Sequence, residues 1–155
     1  MTLLSTTTLS GTTTTVSSIS GSYNTLLVLI NCGLDNAAGT ITCTINGATT
    51  NYNINYLSGT TAGTTTSQIP INANSSQNDT GDGNPTSTAI TIYDYANTSV
   101  FKKIEFAGLT YLVSTVSSIF GGGAYKSTSA ITSITVATTG GTFQADCKIR
   151  IYGIK

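Results

Sequence analysis

The chain contains no histidine, no tryptophan, two prolines, one methionine and three cysteines. Without histidine there is no imidazole base near neutral pH, no histidine-activated nucleophile and no imidazole metal ligand. The cysteines, Cys32, Cys43 and Cys147, show no Cys-x-x-Cys spacing, and three thiols fall short of a structural zinc site. Cys43 and Cys147 lie on apolar faces of predicted strands. Cys32 and Cys43 flank one hairpin, so a disulfide between them is conceivable, but a chain made in a reducing compartment is expected to keep buried thiols.

Charge is scarce. Lys plus Arg number 6, Asp plus Glu number 6, and the net charge is +0. Charged residues make up 8% of the chain, against about 25% in an ordinary globular domain. A neutral chain projects no long-range field towards nucleic acid or anionic lipid. Lys102–Lys103 and the group Lys148, Arg150 and Lys155 read as solvated side chains. No apolar run reaches the roughly 18 residues of a membrane-spanning helix. Met1 to Thr15 has neither the basic nor the long apolar region of a signal peptide, so the chain is expected to stay where it is made or to leave by cell lysis.

The acids are Asp35, Asp79, Asp82, Asp94, Glu105 and Asp146. Asp94 and Glu105 flank a predicted hairpin, the nearest approach to the carboxylate pair that a glycosidase needs. An ordinary surface pair between Glu105 and Lys102 or Lys103 is the simpler expectation. Asn78 to Asn84 is rich in oxygen ligands and glycine, as calcium loops are, but Asp79 and Asp82 have the wrong spacing and a plain turn-rich loop is expected. The composition points to no enzyme, no cofactor and no metal. Three Asn-x-Ser/Thr matches, at Asn74, Asn78 and Asn97, are expected by chance in so polar a chain.

What is abundant is hydroxyl. Ser and Thr together form about a third of the chain, and Thr suits a pleated surface. The length of 155 residues suits one domain. Tyr23 to Cys32, with its run Leu26 to Ile30, reads as a central strand covered on both faces. In Thr40–Asn46, Ile41, Cys43 and Ile45 alternate with threonines, and Asn46–Gly47 marks a hairpin. Asn51–Leu57, Gln68–Asn72 (an edge, because of Pro70), Ala89–Tyr95, Val100–Phe106, Leu109–Ser117 and Ala130–Val136 follow. Ala73–Pro85 reads as a long exposed loop, and Gly121–Gly123 as another. In Ala145–Lys155, Cys147, Ile149 and Ile151 alternate with Lys148, Arg150 and Tyr152, and this final strand must be held in a larger sheet. The expected fold is all-β, an antiparallel, jelly-roll-like β-sandwich of about 8–10 strands. It spans residues 21–155, preceded by a Thr-rich segment, 1–20, that is either an arm or an edge strand.

Two segments carry a resemblance. Ile90–Phe106, ITIYDYANTSVFKKIEF, and Ala130–Lys155, with SAITSITV, GGTF and KIRIYGIK, resemble a β-sandwich domain of tailed-phage virions, found in head decoration proteins and tail-fibre tips. The resemblance covers about half of the chain and implies a binding or structural module, often trimeric. The short segment before the sandwich favours a decoration (cement) protein on the outer head surface over a fibre tip. It would be made in the host cytoplasm, act as a homotrimer and have the major capsid protein as its partner. Thr12, Thr13 and Thr14 and the loop residues Asn78, Asp79, Asp82 and Asn84 are then the docking candidates, with Tyr125. The alternative is a receptor- or glycan-binding tip using Tyr125, Asn78, Asn84 and Asn97.

Overall fold

The computed structural model describes residues 1–35, 39–72, 86–112 and 115–155, without the side chains of 112 and 115. It is all-β, and among the described residues there is no helix. The strands are β1 (Thr2–Thr8), β2 (Thr13–Val16), β3 (Thr25–Cys32), β4 (Leu34–Asp35), β5 (Ile41–Ile45), β6 (Tyr52–Ser58) and β7 (Thr61–Thr65). They continue with β8 (Ile69–Pro70), β9 (Thr86–Tyr93), β10 (Lys102–Leu112), β11 (Thr115–Tyr125), β12 (Ile134–Thr138), β13 (Thr142–Phe143) and β14 (Lys148–Ile154).

Two antiparallel sheets of unequal width form a sandwich. One has eight strands in the order β1-β14-β3-β9-β10-β11-β6-β7, and the other four in the order β2-β12-β5-β8. At about 4.8 Å between strands the first is roughly 34 Å wide and the second roughly 14 Å. Four strands therefore cannot cover eight. Apolar residues from the connections, among them Leu9, Ile19, Ile71, Tyr95 and Ile131, join the core and cover part of the difference. The short pair β4–β13 adds Leu34 and Phe143.

Period-2 alternation decides what faces the core. In β3, Leu26, Val28, Ile30 and Cys32 are buried, whereas Leu27 and Leu29 are half-buried. β3 is central, between β14 and β9, but its outer face is not covered as the apolar run suggested. β5 buries Ile41, Cys43 and Ile45 as expected. Asn46 and Gly47 both have positive φ (51° and 67°), the geometry of the expected turn. The turn does not close a hairpin, however: β5 pairs with β12 and β8, and β6 pairs with β11 and β7. Asn46–Gly47 instead passes the chain from the narrow sheet to the wide one. Asn46 also fastens the crossing, its Oδ1 accepting from the Thr132 and Ser133 amides (2.9 and 3.1 Å) and its Nδ2 donating to the Ala130 carbonyl (2.9 Å).

The strands expected at Val100–Phe106 and Leu109–Ser117 are parts of one long hairpin. β10 and β11 pair without interruption from Lys102–Tyr125 to Leu112–Thr115. Gly121–Gly123, expected as a loop, lies inside β11. The reason is side-chain volume. A Cβ at Gly121 would meet the Phe106 ring and the Asn55 carbonyl, and one at Gly123 would overlap the Asn53 carbonyl. Rings from adjacent positions also lie over Gly63 (Tyr56) and Gly153 (Tyr23), so aromatic residues occupy the space these glycines leave. Two further bonds join the layers: the Ile45 amide donates to the Tyr52 hydroxyl (2.7 Å), and the Thr88 hydroxyl donates to the Ile71 carbonyl (2.8 Å).

Gly123→Ala is expected to cost about 2–3 kcal/mol, because backbone must move to admit the methyl. Gly21→Ala, whose Cβ would meet nothing nearer than 3.8 Å, should stay within about 0.5 kcal/mol of the parent. Urea unfolding of the two variants checks this; equal stability would contradict the packing described.

Candidate functional site

Three surface regions emerge from this fold. The first lies at the end of the sandwich formed by the Asp94–Phe101 loop. β10 alternates, so Lys102 shares the inward face with Ile104 and Phe106, and it is fully buried. It is not the solvated cation expected. Its Nζ donates to the carbonyls of Asn97, Val100 (2.8 Å) and Thr128 (3.2 Å). Burial pulls its pKa below the ordinary lysine value, and the Asp94 carboxylate partly opposes this. The Tyr95 hydroxyl donates to the Ser20 carbonyl, and the Tyr95 carbonyl accepts from the Ile131 amide (2.9 Å). Asp94, at φ 53°, accepts the Asn97 amide on its carbonyl (3.0 Å). The Tyr-Asp-Tyr-Ala-Asn-Thr segment is thus an internal clamp. The Asp94–Glu105 pair does not form; Glu105 accepts a hydrogen bond from the Tyr93 hydroxyl (2.8 Å) on the outer face.

The second region is the outer face of β9–β10–β11. Leu109, Tyr111, Val116 and Phe120 are 55%, 53%, 60% and 51% exposed. All four point away from the core, since Ala107 pairs with Phe120, Leu109 with Ser118 and Tyr111 with Val116. Phe120 stands between two shallow hollows floored by Ala89 and Ala107.

The third is a cleft of about 560 Å³ where the β6–β7 hairpin overhangs β8. Its walls are Thr40, Ile41 and Thr42 on one side, Tyr56 and residues 58–62 on the other, with Gln68, Pro70, Asn72 and Ser117. Among the described residues no charged side chain lines it. Asn72 is committed to the backbone, accepting from the Ile41 amide (2.8 Å) and donating to the Gly39 carbonyl (3.0 Å).

Of the docking candidates that the structure describes, Thr13 and Thr14 lie in a different sheet from Tyr125. Thr13 and Thr14 are in β2, an edge of the narrow sheet paired with β12, and Thr12 is in the turn before it. The Thr14 hydroxyl accepts from the Ser10 amide (2.9 Å). Tyr125 is 5% exposed and packs on Tyr52, ring centroids 5.0 Å apart, so its face is not offered to a ligand. Asn97 is on the exposed loop, accepting the Ser99 amide (2.8 Å). Asn78, Asp79, Asp82 and Asn84, like the whole Ala73–Pro85 loop, lie outside the described residues. Among the described residues no group of three or more potential metal ligands occurs. Reading the sequence missed the cleft, for its walls come from distant segments with no shared motif.

The cysteines are thiols, all buried. Burial pushes Cys43 up to about 12. It raises Cys32 further, with help from neighbouring Cys147, and it raises Cys147 against the backbone hydrogen bonds of Gly33 and Gln144. Such thiols are poor nucleophiles.

Lys102→Met should cost about 3 kcal/mol or more, since three carbonyls lose a buried donor; calorimetry reads this as a lowered Tm. The thiols give a pH dependence. Their folded pKa values lie above the ordinary 9.0, so their contribution is complete below pH 9.0 and is lost as pH rises from there towards the folded values. Urea unfolding at about pH 8 and about pH 10.5 should show the loss, and Cys43→Val should make it shallower. A flat profile would refute the burial argument.

Comparison of the chain with protein-family models, with curated proteins and with solved structures finds no match.

Proposed function

We propose that this chain is a non-enzymatic structural protein of a tailed-phage virion, a decoration protein that binds the outer head surface as a homotrimer. It would be made in the host cytoplasm, and its partner would be the major capsid protein. The observation that carries this reading is the uncovered apolar face of β9–β10–β11. Four large apolar side chains on one side of a sheet leave a patch that favours association. Each is already about half covered, so burying the remainder contributes about 1 kcal/mol apiece. Phe120 stands beside the hollow at Ala89 and Ala107, a knob next to a recess that a neighbouring copy can engage.

The mechanism is mechanical. A trimer bridging neighbouring capsid subunits makes several weak contacts, and after the first the others are effectively intramolecular. The scarcity of charge serves this role, because close-packed copies do not repel. The edge strand β2, with Thr13 and Thr14, is available for docking on the lattice. A receptor- or glycan-binding tip is the second reading, favoured by the neutral cleft beside β8.

Light scattering at micromolar concentration should give about three times the 15.9 kDa chain mass. Leu109→Lys combined with Val116→Lys should give monomer with the fold intact by circular dichroism. A monomeric parent would remove the basis for the trimer. Quantitative mass spectrometry of purified virions should find hundreds of copies per particle; a handful would favour the tip.

A further inference from the structure

We infer that the cleft between the β6–β7 hairpin and β8 is a binding site for a neutral saccharide. The cleft exists because the wide sheet extends past the narrow one. At that flank the inward residues of β6 and β7 have, among the described residues, no strand opposite them. Its volume of about 560 Å³ falls within the roughly 300–1,000 Å³ of small-molecule sites.

The chemistry of the walls selects the ligand. Tyr56 is half-buried, and its ring is laid against Gly63, where a Cβ would collide with it. The ring is therefore held in place by the bare backbone of β7, and its remaining surface borders the cleft. A fixed aromatic surface carrying a hydroxyl suits the mixed apolar and polar faces of a sugar ring. Around it stand groups that both donate and accept hydrogen bonds: Thr42, Thr60, Thr61, Gln68 and Ser117. Among the described residues the Tyr56 phenol, the Thr42 hydroxyl and the Gln68 amide have no side-chain hydrogen-bond partner. Thr42 is 7% exposed. It pairs with Pro70 across β5–β8 and borders the cleft. The Tyr56, Thr42 and Gln68 groups, with no cation beside them among the described residues, suit an uncharged polyol. They offer no cation to pair with a carboxylated or phosphorylated sugar.

This inference is independent of where on a virion the chain resides, and a monomeric result in light scattering would leave it untouched. The test is an amide chemical-shift titration of the full ¹⁵N-labelled chain. The probes are glucose, galactose, mannose, rhamnose and N-acetylglucosamine, with sialic acid as the anionic control. At least one neutral sugar should shift the amides of Tyr56, Thr61 and Gln68, with a Kd in the millimolar range. Gln68→Ala and Thr60→Val, both at the cleft rim, should weaken that binding about tenfold without lowering Tm. Tyr56→Leu should abolish it. The inference is overturned if no neutral sugar shifts these amides at about 50 mM, if sialic acid shifts them equally, or if the Gln68 and Thr60 variants bind as the parent does.

Discussion

The mismatch in width between the two sheets governs this molecule. A sandwich is stable when each inner face is covered, and here four strands face eight. The difference is met in two ways. Connections contribute buried apolar residues, and the DYANT loop is drawn over one end of the core by Lys102 and Tyr95. Beyond β8 the described residues leave a cleft. The wide sheet is also tied to the layer opposite by hydrogen bonds through Tyr52 and Thr88.

With few charges, the chain fastens its surface by hydroxyl pairs. Thr15 meets Thr135 across β2–β12 at 2.8 Å, and Thr40 meets Thr139 at 2.8 Å. Cross-strand threonines contribute a few tenths of a kcal/mol each. Unlike ion pairs they are not screened by salt. The buried cation Lys102 is solvated by three backbone carbonyls.

Much of the fold was legible because alternation survives in single strands. Ile41, Cys43 and Ile45, or Ile149 and Ile151, need no neighbour to declare their face. Parity would also have placed Lys102 with Ile104 and Phe106, had composition not suggested a surface pair. What alternation does not carry is partnership. Asn46–Gly47 was legible as a turn, yet nothing local says that the chain changes sheets there. Gly121–Gly123 was misread because a glycine in a strand carries no periodic signal; only the rings and carbonyls of β6 and β10 explain it. The cleft was invisible for a related reason, being a property of where sheets end.

The position of β14 has a consequence for how the structure is assembled. It lies between β1 and β3, hydrogen-bonded to both. Two strands from the start of the chain are therefore separated in the finished sheet by one from its end. β1 has no place to pair until that strand arrives, and the β3 edge it fills stays open meanwhile. Closure of this half of the molecule is a late, non-local event of the kind that makes sheet proteins slow to fold. Until then an uncharged strand edge is presented to any neighbouring chain.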